Sequence, residues 1–270
     1  KMIVDREREI TAFKPVPFWQ ISLLGQAKKG EFLAWHIADK FWKEAEAKKI
    51  FEKVKKEKEA KVIEVNRSQY AQPPPTPFDL TTLQTESYAH HGISPKETLA
   101  IAQDLYISGC ISYPRTSSQQ LTPKIGYKSI ITQLGKQKSY AELCAALLKQ
   151  EKLAPNNGEK TDPAHPAIYP TGVIPKSADS RHAKVYDLIV KRFLATFGPE
   201  ATRETMRVVV EAKEEKFAAE GKRTVTQGWQ IFYAPYVRFK DIELPNMAEK
   251  DEVDIKKLDA AIADLKDVYN

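Results

Sequence analysis

The chain has 270 residues, of which 42% are hydrophobic and 29% charged, the proportions of a soluble globular protein with room for one large or two ordinary domains. Its formal charge of +6 leans toward an anionic partner, nucleic acid being the usual one, and equally suits a lysine-rich solvated surface. The two cysteines, Cys110 and Cys144, exclude a disulfide framework and a zinc ribbon and fit a reducing, cytoplasmic setting; the absence of an 18-residue apolar run and of a signal-peptide pattern argues against membrane insertion and secretion.

In chain order, Phe18 to Leu23 and Phe32 to His36 flank Lys28-Lys29-Gly30 and predict a β-hairpin. The Lys/Glu/Ala-rich stretch 43–61 predicts an exposed helix with i,i+4 pairing, a solvated face rather than a partner surface. Val62 to Val65 returns to sheet, and Gln72-Pro73-Pro74-Pro75-Thr76-Pro77 is a stiff connector that marks a domain boundary. Beyond it the pattern is helical. Ser94-Pro95-Lys96-Glu97 has the form of a capping box with Pro at the first helical position, and Leu99, Ala102, Leu105 and Tyr106 make an apolar face that ends at Gly109. A second helix opens at Thr122-Pro123 and runs toward Gly135, and a third spans Tyr140 to Lys149. The most periodic helix carries Tyr186, Ile189, Val190, Phe193, Leu194 and Phe197 and closes at Gly198-Pro199. Strands are then expected at 206–211, 216–219 and 229–233. Residues 251–270 fit either an amphipathic helix or a strand.

The segment Gly109 to Thr116, Gly-Cys-Ile-Ser-Tyr-Pro-Arg-Thr, carries the most chemistry. A tyrosine hydroxyl has a reference pKa of about 10, so a nucleophilic Tyr113 needs cationic or metal help, part of which Arg115 can supply. Pro114 fixes its own φ and pushes Tyr113 toward an extended backbone, which aims the ring. The competing reading is an ordinary Tyr-Pro turn beside a helix. His90-His91 imitates a metal pair, but adjacent residues face different directions, and no chemistry is assigned to them.

Three motifs together resemble the type IA DNA topoisomerases, in that family's order. Pro77-Phe78-Asp79-Leu80-Thr81-Thr82-Leu83-Gln84 is similar to its Pro-Phe-x-x-(Ser/Thr)-Thr-Leu-Gln signature. Ile111 to Ser118 resembles its active-site tyrosine motif, and Ala164-His165-Pro166-Ala167-Ile168-Tyr169-Pro170-Thr171 its Ala-His-x-Ala-Ile-x-Pro-Thr loop. Arg8-Glu9-Ile10 with Phe13, Phe18-Trp19, and Gly228-Trp229 with Tyr233 also look like family positions, so the resemblance covers nearly the whole chain.

The resemblance implies that Tyr113 is the nucleophile that opens one DNA strand and holds its 5′ phosphate, with Arg115 and His165 at the same phosphate and Thr81, Thr82 and Gln84 touching DNA. It implies a multidomain α and β fold: a helical, winged-helix-like gate domain over 77–204, inserted into a β-rich arch domain made of 1–76 and 205–270. It implies single-stranded DNA as substrate, no membrane partner, strand passage and religation without ATP, and Mg2+ bound by the family's Toprim domain, with no cofactor in this chain. Ser117 stands where many members have an acidic residue and Tyr169 where bacterial members often have Arg; both look archaeal. The acidic Toprim motifs, and a Pro-Pro-x-x-(Tyr/Phe)-(Ser/Thr)-Glu segment expected after Leu244-Pro245, are not found in these 270 residues. The expectation is therefore an arch and gate fragment, inactive alone, whose partners are the Toprim and DNA-binding parts of the same enzyme. Two alternatives stay open: a non-catalytic DNA-binding winged-helix module in which Tyr113 stacks on a base, and the topoisomerase part of a reverse gyrase.

Overall fold

The computed structural model describes residues 1–14, 16–175 and 180–264, with backbone only for Ser180 and 262–264. Contacts divide the chain into two compact units, one holding Lys1–Gln69, Glu204–Arg223 and the chain from Lys240, the other Tyr70–Arg203 and Thr224–Phe239. The sequence-based boundaries placed all of 205–270 in the β-rich part. Residues 224–239 instead belong with the helices, because Trp229, Phe232, Tyr233 and Tyr236 are buried in the helical core.

The first unit is built on strands that close a barrel. They are β1 (Pro17–Ala27), β2 (Gly30–His36), β3 (Glu59–Gln72), β4 (Ala201–Ala212), β5 (Glu215–Thr226) and β6 (Glu252–Asp264), in the order β1-β2-β5-β4-β3-β6. The end residues of β3, β4 and β5 are counted with the second unit. Alternate residues point inward, among them Ile21 and Leu23, Phe32 and Ala34, Val208 and Val210, Phe217 and Val253. Fully burying a side chain such as Leu23 or Phe217 contributes about 1.5–3 kcal/mol. The β1–β2 hairpin forms as expected, with Leu24 opposite Leu33. The ambiguous C-terminal segment resolves as strand β6, paired with β1 from Gln26↔Asp254 to Pro17↔Asp264, and residues 265–270 of that expectation lie outside the described residues. Lys213 and Glu214, at φ 49° and 67°, make the tight turn from β4 to β5.

Two helices accompany the barrel strands in this unit. Helix α1 (Met2–Ala12) buries no residue, and α2 (Glu44–Val54) buries Ala47 and Val54. The helix expected over 43–61 is shorter than its composition suggests, since Glu59 to Lys61 pair with β6 as strand.

The second unit contains α3 (Leu80–His91), α4 (Pro95–Ile107), α5 (Tyr127–Leu134), α6 (Ala141–Leu148), α7 (Ser180–Ala195) and the short α8 (Gln230–Tyr233). Helix α7 supplies much of the core: Tyr186, Ile189, Val190, Phe193 and Leu194, on the face read from its periodicity, are buried, and Val185 and Leu188 join them. Ser94 caps α4 by accepting from the Glu97 amide at 3.3 Å, but the Glu97 carboxylate pairs with Arg181 instead of closing a capping box. The helix expected from Thr122 to Gly135 is a 3-10 turn, Pro123–Ile125, followed by α5, because Gly126 between them is left-handed.

The strand expected at 229–233 is helix α8. Gly228 lies at φ 51°, and a Cβ there would sit 2.3 Å from the Glu200 carbonyl oxygen, so the chain turns against residue 200 where only glycine fits. The aromatics that follow recur at helical spacing, and that places 229, 232, 233 and 236 in one core.

Candidate active site

Tyr113 is placed by the end of α4. Gly109, at φ 71°, donates its amide to the Tyr106 carbonyl at 2.9 Å, and Cys110 donates to Leu105 at 2.8 Å. These two bonds form a Schellman cap, with the buried Cys110 and Leu105 as its apolar contact. The chain reverses there and returns toward the helix it has just left.

The returning segment pairs with the loop 167–171. The Thr171 amide donates to the Cys110 carbonyl at 3.0 Å, the Ser112 amide to Tyr169 at 2.9 Å, and Ile111 bridges Pro170. Ser112 adds its side chain: its Oγ accepts from the Tyr169 amide at 2.9 Å and donates to the Ala167 carbonyl at 3.2 Å. The third motif reaches this assembly from α3. The Ile168 amide donates to the Phe78 carbonyl at 2.8 Å, and the Leu80 amide to Thr116 at 3.0 Å. All three sequence motifs therefore meet in one backbone network.

Within it the Tyr113 ring lies 4.5 Å from the His165 ring, tilted by 44°, and meets Tyr106 edge to face at 5.3 Å and 73°. His165 is held by its backbone: Asp162 Oδ1 accepts from the Ala164 and His165 amides at 2.9 and 3.0 Å, and the Thr116 hydroxyl donates to the His165 carbonyl at 3.4 Å. The two amides hold the Asp162 carboxyl below its ordinary range. Arg115 is exposed, and its guanidinium has no carboxylate partner among the described residues, which leaves its positive charge available to an anion. Burial pushes the Cys110 thiol up, so the neighbouring sulfur stays protonated and is no rival nucleophile.

Asp79 is the hidden support of this arrangement. It is the N-cap of α3 and accepts from the Thr82 amide and hydroxyl, both at 2.7 Å, from Lys160 Nζ at 3.0 Å and from Gln119 Nε2 at 3.2 Å. Burial works to raise its carboxyl, and the bonds from Thr82 with the Lys160 charge outweigh it, leaving Asp79 below the usual carboxylate range. The cap of α3 is thus Asp79, with Thr82 closing the capping box from the third helical position.

The expected DNA contacts on α3 have differing local roles. Thr81 is exposed, the Thr82 hydroxyl is committed to Asp79, and Gln84 donates to the Pro95 carbonyl at 3.0 Å. Sequence reasoning missed Asp79 and Lys160, although the Asp79-x-x-Thr82 spacing is a capping signal. Tyr106, read as part of an apolar helix face, is 41% exposed and touches Tyr113.

His90 and His91 hold no metal-like cluster: His90 pairs with Glu86 at 2.9 Å, and both rings lie against Tyr236. Among the described residues no three His, Cys, Asp or Glu side chains come together as a metal site. Among them, too, no helix is long and apolar enough to cross a membrane.

Residues 1–264 match the sequence model of a family described as DNA topoisomerase. The chain is 46% identical over 247 residues to DNA topoisomerase 1 of Pyrococcus horikoshii, covering 91% of this chain and 36% of the relative. It is 42% identical over 258 residues to DNA topoisomerase 1 of Methanocaldococcus jannaschii, covering 95% and 33%. Its fold is similar to that of full-length topoisomerase I from Thermotoga maritima, with a TM-score of 0.72 at 25% identity over 97% of this chain and 43% of that one. The chain spans about a third of the length of the curated relatives it matches.

Proposed function

The chain belongs to the type IA DNA topoisomerase family, and from that membership we propose that Tyr113 is the nucleophile of a strand-cleaving transesterification. The Tyr113 oxygen forms a bond to phosphorus as the bond from phosphorus to the 3′ oxygen breaks. The phenolic proton departs, the 3′ oxygen takes up a proton, and the 5′ phosphate remains on the tyrosine. One phosphoester replaces another, so religation needs no ATP.

Arg115 supplies a guanidinium for the nonbridging oxygens, where charge builds up in the transition state. His165, against the Tyr113 ring, hydrogen-bonds at the same phosphate or orients the phenol. Thr81 and Gln84 on α3 contact the DNA strand, with Thr82 fixing the turn that carries them. The helical unit acts as a winged-helix-like gate and the barrel unit as an arch, and the substrate is single-stranded DNA. The Mg2+ of the reaction is held by a part of the enzyme other than the described residues, in the family's Toprim domain, so this chain by itself forms no adduct.

The observation that carries this reading is the backbone network that brings the three motifs together and sets Tyr113 beside His165. The test mixes the chain with a polypeptide spanning the rest of the relatives' length, a labelled single-stranded oligonucleotide and Mg2+, then seeks a covalent adduct. An adduct that maps to Tyr113 and vanishes in Tyr113→Phe is expected. DNA binding with no adduct would sink the catalytic reading in favour of a binding module.

A further inference from the structure

We propose that Tyr106 is a positioning residue for Tyr113, restricting the phenol to the orientation from which it attacks; this rests on the reading of Tyr113 as nucleophile. On α4, Thr98, Ile101, Ala102 and Leu105 are buried, whereas Tyr106 is 41% exposed. Its ring is not a core side chain. The ring it meets is Tyr113, edge to face at 5.3 Å.

The pairing is set by the backbone. Tyr106 itself accepts the Gly109 amide, and Leu105 accepts that of Cys110, so the cap that ends α4 also folds residue 113 back over residue 106. The bridge at Ile111 and the Ser112 bonds then fix the returning segment up to the residue before Tyr113. What those bonds leave free is the side-chain rotation of a half-buried tyrosine. Among the described residues, His165 and Tyr106 are the rings that touch it. An edge-to-face aromatic pair is worth roughly 0.5–1.5 kcal/mol, which is about a two- to twelve-fold narrowing of the ring's orientations. Reactions that depend on a near-attack geometry gain by that factor. The contact is made by the ring and not by the hydroxyl, so phenylalanine should replace Tyr106.

The experiment has two arms. In the first, the chain is labelled with 3-fluorotyrosine and the Tyr113 resonance is assigned by its loss in Tyr113→Phe. Tyr106→Leu should move that resonance and broaden its range of environments, while Tyr106→Phe should leave it in place. An unmoved resonance in Tyr106→Leu overturns the proposal whatever the chemistry of Tyr113.

In the second arm, the chain is complemented with the rest of the enzyme and single-turnover cleavage is measured at saturating DNA. Tyr106→Leu should cleave about two- to twelve-fold more slowly with unchanged DNA affinity, and Tyr106→Phe should restore the rate. A full rate in Tyr106→Leu, or a Phe variant as slow as Leu, overturns it. If wild type forms no adduct, the nucleophile reading fails, and with it the catalytic use of the pair; the resonance arm still reports whether Tyr106 orients Tyr113. Tyr106→Met offers a second ringless variant should Leu fail to fold, and a full cleavage rate in it would overturn the proposal.

Discussion

Ser112 and Tyr169 are bonded in both directions: the Ser112 amide donates to the Tyr169 carbonyl, and the Tyr169 amide donates to Ser112 Oγ, each at 2.9 Å. The same hydroxyl donates to Ala167, so one small side chain ties the strand carrying the tyrosine to the loop carrying His165. Ser112→Ala strands the Tyr169 amide in a half-buried site. A loss of about 1–3 kcal/mol is expected in urea unfolding, largely recovered in Ser112→Thr. An unchanged midpoint in Ser112→Ala would show that the loop is held by its backbone alone.

Asp79 should give the helical unit an acid-sensitive component. Its folded pKa lies below the ordinary 3.8, so its contribution is complete above that value and is lost as pH falls through the lower folded value. Asp79→Asn should therefore be less stable than wild type near neutrality, and the gap should close below about pH 4. Parallel stability curves from pH 7 to pH 2 would contradict this.

Two left-handed glycines should respond differently to alanine. At Gly228 the new Cβ would meet Glu200 at 2.3 Å in addition to the unfavourable φ, whereas at Gly92, φ 68°, nothing lies within 4 Å. Gly92→Ala should cost about 1–2 kcal/mol, the conformational penalty alone. Gly228→Ala should cost about 1–3 kcal/mol more through the clash. Thermal unfolding of both variants checks the order.

High pH should destabilise the helical unit through its buried phenols. Tyr140 and Tyr236 both donate to Asp187, at 2.9 and 2.6 Å, and burial with that carboxylate raises both pKa values far above the ordinary 10. Their protons are kept in the fold and lost first in the unfolded chain, so stability is complete below about pH 10 and falls above it. Tyr140→Phe or Tyr236→Phe should flatten that fall by about 1.4 kcal/mol per pH unit. Curves of equal slope would remove these residues from the account.

Much of the local structure was legible because its cause is local. The alternation at Phe18 to Leu23, the turn glycine at 30 and the 3.6-residue spacing through α7 each act within a few residues. The barrel was not, since its closure pairs β1 with β6, Trp19 opposite Ile262, and no short-range pattern encodes such a partner. Residues 229–233 misled because aromatic side chains favour strands in isolation, and burial against α7 decided for a helical turn. In the candidate site, the motifs marked Tyr113, Arg115 and His165. The supports were less visible: Ser112 and Tyr106 act through a loop or a ring contact that depends on where the chain returns, and Asp79 spends its charge inside a cap.

The return after Gly109 also makes the site intolerant of length changes. Cys110 and Ser112 turn their backbone groups toward 171 and 169, so successive side chains alternate across that pairing. One inserted or deleted residue between Gly109 and Tyr113 would send the phenol to the opposite side, away from both Tyr106 and His165, without altering a single functional group. Spacing between the glycine and the tyrosine is thus a constraint on which sequences can carry this chemistry, separate from the identity of the residues that perform it.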